Sequence, residues 1–496
     1  MTAEHPRSRM GVPGLDEVLA GGLITNQLYL VDGDPGSGKT TLALQFLIEG
    51  TKRGEKGLYV TLSETQAELV AGAASHGWSL DPNTIEIVEL IRGEQELAAD
   101  TQLTMYHPAE VELTETTKRV LEAVERADPA RVVFDSLSEM RLLAQSSLRY
   151  RRQILALKQF FIGRKCTVLL LDDRTSEGSD MQLQSIAHGV ISLEQLAPLY
   201  GAERRRLRVV KMRGAKYRGG YHDFTIQTGG LAVFPRLIAA EHRNDFSDGQ
   251  ITSGIAALDA LLGGGPERGT STVLMGPAGS GKSTLAFQYA VAAAQRGEHA
   301  TSFIFDESGL TLRRRMEGLG IGYREGSGPG EISVHQVDPA ELSPGEFAHR
   351  VKEEIENRKA TTILIDSLNG YLNAMPEERF LMLQLHELLS YVGGRGLTTF
   401  LVVAQHGVIG EALQTPVDTS YLTDSVVLLR FFEHAGRVSR AISVVKKRSG
   451  PHEETIRQLR FDAQGIHVGE PLHDFQGVLT GVPSRTGPGK AGLNPG

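Results

Sequence analysis

The 496-residue chain has one cysteine. That single thiol, Cys166, excludes an internal disulfide framework and a cysteine-rich zinc site. Set in Cys166-Thr-Val-Leu-Leu-Leu171, it reads as a buried strand residue. Long apolar runs are missing, and none approaches the roughly 18 residues of a membrane span. The N-terminal stretch Met-Thr-Ala-Glu-His-Pro-Arg-Ser-Arg is polar and has no apolar core of a secretory signal. The cytosol is therefore the expected compartment, with no membrane partner. A basic excess is missing as well: 60 acidic residues face 52 basic ones, for a net charge of −8. Proteins that grip nucleic-acid phosphates usually carry a basic excess or stripe, so nucleic acid is not an expected partner. With 40% hydrophobic and 23% charged residues, the composition excludes a disordered chain, a collagen-like chain and a coiled-coil rod. The 56 glycines point to backbone positions that need positive φ or close ligand approach.

What the chain does have is a large internal repeat. Gly11-Val-Pro-Gly-Leu-Asp-Glu-Val-Leu-Ala-Gly-Gly22 recurs as Gly254-Ile-Ala-Ala-Leu-Asp-Ala-Leu-Leu-Gly-Gly-Gly265. Gly33-Asp-Pro-Gly-Ser-Gly-Lys-Thr-Thr-Leu-Ala43 recurs as Gly276-Pro-Ala-Gly-Ser-Gly-Lys-Ser-Thr-Leu-Ala286. Arg53-Gly-Glu55 and Glu64 return as Arg296-Gly-Glu298 and Glu307, all at one constant offset. The offset then shrinks, with Asp135-Ser-Leu137 matching Asp366-Ser-Leu368 and Lys211/Arg213 matching Lys446/Arg448. A period this long is a duplicated domain. We expect a first domain over 1–245, a second over 246–470 and a flexible C-terminal tail over 471–496, with the boundary in the polar stretch Arg243–Asp248.

Each copy alternates short apolar runs with helical patterns. Gln27–Val31, Leu58–Leu62, Arg131–Asp135 and Val168–Leu171 read as strands, as do Ser271–Met275, Thr362–Asp366 and Phe400–Val403. The apolar spacing over Thr40–Gly50 reads as a helix. Continuous apolar strands separated by helices imply a mainly parallel sheet covered on both faces. Val426–Arg430 and Ala441–Val445 lack intervening helices and read as antiparallel strands added at one side. The expected fold is α/β: two tandem P-loop domains, each a mainly parallel sheet flanked by helices with added antiparallel strands.

Gly33-x-x-x-x-Gly38-Lys39-Thr40 and Gly276-x-x-x-x-Gly281-Lys282-Ser283 fit the phosphate-loop pattern. Glycines let backbone N–H groups curl around phosphate oxygens, and the following helix turns its positive end to the same anion. The candidate nucleotide-binding residues are Gly36, Ser37, Gly38, Lys39, Thr40 and Thr41, with Gly279, Ser280, Gly281, Lys282, Ser283 and Thr284. The lysines reach β/γ-phosphates, and Thr40 and Ser283 offer hydroxyls to Mg²⁺. Asp135 and Asp366 end apolar strands, where an acid can orient Mg²⁺ directly or through water. ATP and Mg²⁺ are thus the expected ligands. Hydrolysis needs a group that polarises the attacking nucleophile. Glu64 follows one strand, and Asp306 and Glu307 follow its counterpart, where the first copy has Ser63-Glu64. The basic stretch Arg204–Arg218 alternates like a strand with one polar face. Its second copy keeps only the Lys-x-Arg pair, which fits a charge offered to a nucleotide better than general DNA affinity.

These motifs resemble the KaiC family, the double-domain RecA-like ATPases of the circadian clock and its bacterial relatives. The resemblance runs from about Arg9 to Pro483 and takes in Lys211-Met-Arg-Gly214, Ser420-Tyr-Leu-Thr-Asp-Ser-Val-Val-Leu-Leu429 and the tail Phe475–Pro483. It implies a hexamer of two stacked rings with ATP held between subunits. Lys211/Arg213 and Lys446/Arg448 would reach the neighbour's nucleotide, where an Arg neutralises charge developing on the γ-phosphate. The resemblance further implies ATPase activity in the first domain. In the second it implies serine/threonine autokinase activity, with acceptor Ser420 and base Asp306 or Glu307. Partners would be KaiB-like proteins, histidine kinases or response regulators, in circadian-type or stress signalling. The chain departs from the family at Tyr421, where the second acceptor is a Thr; Thr419 and Thr423 lie nearby. Two other functions fit the same motifs: a nucleotide-gated scaffold without kinase activity, and a RecA-class DNA-dependent ATPase, which the acidic net charge disfavours.

Overall fold

A computed structural model describes residues 6–90, 108–144, 146–174, 184–198, 201–242, 244–373, 380–405, 422–434, 436–473, 475–478 and 484–485. The chain forms two compact units, Met1–Arg236 and Leu237–Gly496. The division falls ahead of the polar stretch at 243–248, because Leu237 and Ala239 already pack on the second unit's core.

The first unit opens its sheet with β1 (Leu28–Gly33), followed by α1 (Lys39–Thr51), β2 (Gly57–Thr61), α2 (Gln66–Ser75), β3 (Ile85–Glu89) and α3 (Pro108–Ala127). Next come β4 (Arg131–Asp135), α4 (Leu137–Ala144), α5 (Ser147–Phe161) and β5 (Thr167–Asp173). Four further strands, β6 (Gly189–Leu196), β7 (Arg204–Met212), β8 (His222–Gln227) and β9 (Gly230–Phe234), complete the sheet. Its order is β9-β8-β7-β6-β1-β5-β4-β2-β3. The strands from β6 to β3 pair in parallel, and β6 to β9 pair as antiparallel neighbours.

The second unit repeats the plan with β10 (Ser271–Gly276), α6 (Lys282–Gln295), β11 (His299–Ile304), α7 (Gly309–Gly318), β12 (Ile332–Gln336), α8 (Pro344–Glu356) and β13 (Ala360–Asp366). It closes with α9 (Leu381–Gly394), β14 (Thr398–Ala404), β15 (Ser425–His434), β16 (Arg437–Lys447), β17 (Arg457–Asp462) and β18 (Gly465–Pro471), in the order β12-β11-β13-β14-β10-β15-β16-β17-β18.

The parallel strands are apolar throughout because both faces of each sheet are covered. Alternation along β1 sends Tyr29 and Val31 into one core with Phe46 and Leu47 of α1. Leu28 and Leu30 enter a second core with Ile154 and Leu157 of α5. The second unit is built the same way, and there the Phe400 ring stacks on Tyr289 with centroids 4.3 Å apart. Cys166 is buried, as its strand context implied. The segment from 471, read from sequence as a flexible tail, is pinned at 475–478. Phe475 packs edge-on against Phe432 at 5.3 Å, and Val478 is buried.

The sheet edge that matters is the one where the parallel strands end. β1 runs straight into the first glycine loop, and the loop runs into α1. β4 ends at Asp135 and β5 at Asp173 along the same edge. Parallel winding thus gathers a phosphate loop, a strand-end carboxylate and an acidic segment (Glu64 in the first unit, Asp306 and Glu307 in the second) at one place in each unit.

Candidate functional site

The loop before α1 is shaped by its glycines. Gly38 has φ +100° and Gly281 φ +103°, left-handed values that other residues resist. Space is a second constraint. A Cβ on Gly38 would stand 2.7 Å from Ile226 Cδ1, and one on Gly281 2.2 Å from Phe461 Cζ. Both helices begin with these glycines as caps and with no side chain capping them. Their first N–H groups therefore face the loop with no side-chain acceptor. Ser37 Oγ and Ser280 Oγ are buried without a hydrogen-bond partner. Buried polar atoms are rarely left so, and orphan donors at a helix N-terminus form an anion cradle. Triphosphate oxygens fit that donor set in both units.

Lys39 Nζ donates to the carbonyls of Gly33 at 3.0 Å and Asp34 at 2.9 Å, and it pairs with Asp173 at 2.7 Å. Lys282 Nζ donates to the Pro277 carbonyl at 2.8 Å. Burial pushes the Lys282 ammonium down to about 8, against the pull of Asp366. Both lysines are folded back on their own loops, in the space where a phosphate charge would stabilise them.

The strand-end acids meet the loop hydroxyls. Thr40 Oγ1 donates to Asp135 Oδ2 at 3.2 Å, and the Tyr59 hydroxyl donates to the same oxygen at 2.6 Å. Burial raises the Asp135 carboxyl above its ordinary range, and the bonds from Tyr59 and Thr40 oppose that rise. In the second unit burial pushes Asp366 up to about 6, with a hydrogen bond from Ser283 opposing and the charges of Glu307 and Asp306 adding to the rise. Among the described residues no group of three His, Cys, Asp or Glu side chains could hold a metal by itself. A hydroxyl plus one buried carboxylate fits Mg²⁺ that shares its remaining ligands with phosphate oxygens and water.

The ordinary value of the Asp366 carboxyl is 3.8 and its folded value about 6, so the folded chain holds the proton more tightly than the unfolded one. The folded state therefore loses stability as pH rises between those values, by about 3 kcal/mol in all. Asp366→Asn should raise the urea midpoint of the nucleotide-free chain at pH 7.5 and leave it unchanged near pH 3.5. A lowered midpoint at pH 7.5 would contradict this.

The acids proposed as bases lie beside these centres. Leu62 N–H donates to the Asp135 carbonyl at 2.7 Å, and Phe305 N–H to the Asp366 carbonyl at 2.7 Å, so each segment is tied to its strand-end acid. Thr61 Oγ1 donates to the Glu64 carbonyl at 2.7 Å and accepts from Glu64 N–H at 3.0 Å, which fixes the turn. Burial, with the charges of Asp135 and Glu68, raises the Glu64 carboxyl. Glu307 differs, because Arg315 pairs with it at 2.8 Å. Asp306 accepts a hydrogen bond from Ser367 Oγ. The single acid of the first unit is thus half-buried with no cation paired to it among the described residues, whereas Glu307 of the second is held by Arg315.

The Lys-x-Arg pairs lie elsewhere. Lys211 stands across β6 from Leu30 of β1, since Val190 pairs with both. That is three residues, about 10 Å, short of Gly33 along the strand. Lys211 donates to the Gln184 carbonyl and Arg213 to that of Ser185 at 2.8 Å. Lys446 likewise pairs off with Val426, near the start of β15, and donates to the Thr423 carbonyl at 2.6 Å. Arg448 pairs with Asp424 at 3.4 Å. Neither pair is brought to its own phosphate loop.

The Arg204–Arg218 stretch carries much of its own countercharge. Arg205 pairs with Glu203 at 2.8 Å and Arg206 with Glu194 at 2.8 Å. Arg206 also lies over the Tyr221 ring at 4.2 Å. Ser420, Tyr421 and Thr419 lie outside the described residues. Thr423 is fully buried. Tyr59, Asp173 and Arg315 were not singled out from sequence. Asp173 alone had a signal, as a carboxylate closing the apolar run Val168–Leu171.

The family model described as "ATPase: KaiC" matches residues 8–238 and 251–473. The chain belongs to the KaiC family of ATPases. Circadian clock protein KaiC3 of Synechocystis sp. is 27% identical over 482 residues, covering 96% of this chain and 94% of that protein. Circadian clock oscillator protein KaiC of Picosynechococcus sp. is 27% identical over 480 residues, covering 96% and 92%. The protein of the same name from Thermostichus vulcanus is 27% identical over 496 residues, covering 98% and 93%. Among the described residues no helix is long and apolar enough to cross a membrane.

Proposed function

We propose that the chain is a cytosolic, Mg-ATP-binding and ATP-hydrolysing homohexamer with nucleotide at its subunit interfaces. The observation that carries the proposal is the duplicated arrangement of a cradle of unpaired donors and a strand-end acid. In each unit a cationic pair stands at the opposite end of the strands. In this reading Lys39 and Lys282 bind the β/γ-phosphates, and Thr40 with Asp135, and Ser283 with Asp366, hold Mg²⁺. The metal would neutralise phosphate charge when bound. Glu64 takes the proton of the attacking water in the first unit. A neighbour's Lys211 and Arg213 complete the site, because they cannot reach their own loop.

In the second unit the reading extends to autophosphorylation. The Ser420 hydroxyl of one subunit attacks the γ-phosphorus of its neighbour's ATP. The bond to the β-γ bridging oxygen breaks, ADP leaves, and Asp306 or Glu307 receives the hydroxyl proton. A phosphate there adds about −1.5 to −2 charge at a subunit boundary, where it alters docking of KaiB-like, histidine-kinase or response-regulator partners. Circadian-type or stress signalling is the setting this implies. One observation favours a second reading, a nucleotide-gated scaffold without kinase activity: Arg315 occupies Glu307.

Incubation with Mg-ATP, followed by peptide mass analysis and light scattering, tests these together. The expected result is a hexamer-sized particle with phosphate on Ser420. Hydrolysis and a hexamer with an unmodified Ser420 would favour the scaffold. A chain that stays monomeric at saturating ATP would overturn the ring.

A further inference from the structure

At the edge of the first unit opposite its phosphate loop lies a half-open cavity of about 120 Å³. It forms where the end of α5 meets the starts of β1, β5 and β6. Its wall is two-natured. Leu28, Phe161, Ile162 and Ile186 make an apolar side, and Lys158, His188 and Arg213 bring cationic and imidazole groups to the other.

The cations here are unusual in their partners. Lys158 donates to the Ile186 carbonyl at 2.9 Å, Arg213 to that of Ser185 at 2.8 Å, and the adjacent Lys211 to that of Gln184. Three cations thus hold three consecutive carbonyls, and none of them pairs with a carboxylate among the described residues. His188 Nε2 is buried with no hydrogen-bond partner. Burial and the three cations hold its imidazole below the ordinary value, so it stays neutral. The thiol of Cys166, also in the wall, is pushed up to about 11 by burial and stays protonated, which leaves no nucleophile for covalent capture.

We propose that this cavity is a binding site for a small monocarboxylate with a short apolar body, its carboxylate against Lys158 and Arg213. An apolar cavity of about 150 Å³ takes benzene, so the volume suits a body of about three to six carbons. A nucleoside triphosphate is too large to enter. Leu28, at the cavity, is five residues, about 16 Å, down β1 from the phosphate loop. The site belongs to the first unit alone. Matching positions in the second hold Leu389 for Lys158 and Asp424 for His188, which removes the amine and puts a carboxylate in place of the imidazole.

Arg213 is shared with the proposed subunit interface, so the test uses the full chain without nucleotide, where no neighbour's ATP engages that guanidinium, and its failure is distinguishable from a failure of ring assembly. Benzoate and butyrate are titrated by calorimetry and thermal shift, with inorganic phosphate as the anion that lacks an apolar body. The expected result is saturable binding of benzoate or butyrate with a raised melting temperature, and a smaller shift with phosphate. Lys158→Met should weaken carboxylate binding at least tenfold. Ile162→Trp, at a 67% exposed position beside the cavity, should block it without disturbing the core. Both variants should bind ATP with the wild-type stoichiometry. No binding of either carboxylate, an equal shift with phosphate, or binding unchanged in both variants would overturn the proposal.

Discussion

Replacing Arg213 with Ala should lower ATP turnover in the first unit by about 10³-fold, the smaller end of what a charge supplied in trans contributes. The assay uses a chain carrying Lys282→Ala, so that the second site is silent. Arg213 is too far along the strand from its own loop to touch its own nucleotide, and its hydrogen bond to the Ser185 carbonyl leaves the guanidinium charge without a carboxylate partner among the described residues. Mixing provides the sign check. Chains with an intact Arg213 but a dead first loop (Lys39→Ala), mixed with Arg213→Ala chains, should recover turnover in mixed rings. If Arg213 acted within its own subunit, mixing would recover nothing.

Glu64→Gln should reduce first-unit hydrolysis by about 10²–10⁴-fold, the range for loss of a positioned general base, with nucleotide binding retained. The amide keeps the shape of the side chain and removes its proton acceptor. Glu307→Gln in the second unit should cost less, because Arg315 already holds that carboxylate at 2.8 Å. Arg315→Ala frees Glu307 and should raise second-unit turnover. Single-turnover hydrolysis in chains with one functional loop separates the two units. Equal losses at both positions would show that Arg315 does not restrain Glu307.

Much of this was legible in the sequence because glycine loops and apolar strands are local codes. Gly36-Ser-Gly-Lys39 states its own backbone requirement, and Arg131–Asp135 states both a strand and the acid at its end. The added strands β15 and β16 were legible from the missing helix between two apolar runs. What could not be read is what depends on pairing across the sheet. Tyr59 reaches Asp135 only because β2 lies beside β4, and Asp173 reaches Lys39 only because β5 lies beside β1. The sequence places one acid, Glu64, after the second strand of the first copy and two, Asp306 and Glu307, after its counterpart. Burial of Glu64 beside Asp135, and the pairing of Glu307 with Arg315, distinguish these acids, and neither is visible without the fold. The tail over 471–496 was expected to be flexible, and Phe475 and Val478 pack it at 475–478.

The central claim is two nucleotide sites per chain, each depending on its own loop lysine. The direct measurement is nucleotide content after Mg-ATP loading and rapid desalting, by acid extraction and chromatography. The account predicts two nucleotides per chain for the wild type, one for Lys39→Ala, one for Lys282→Ala, and none for the double variant. Two nucleotides recovered from the double variant would contradict it.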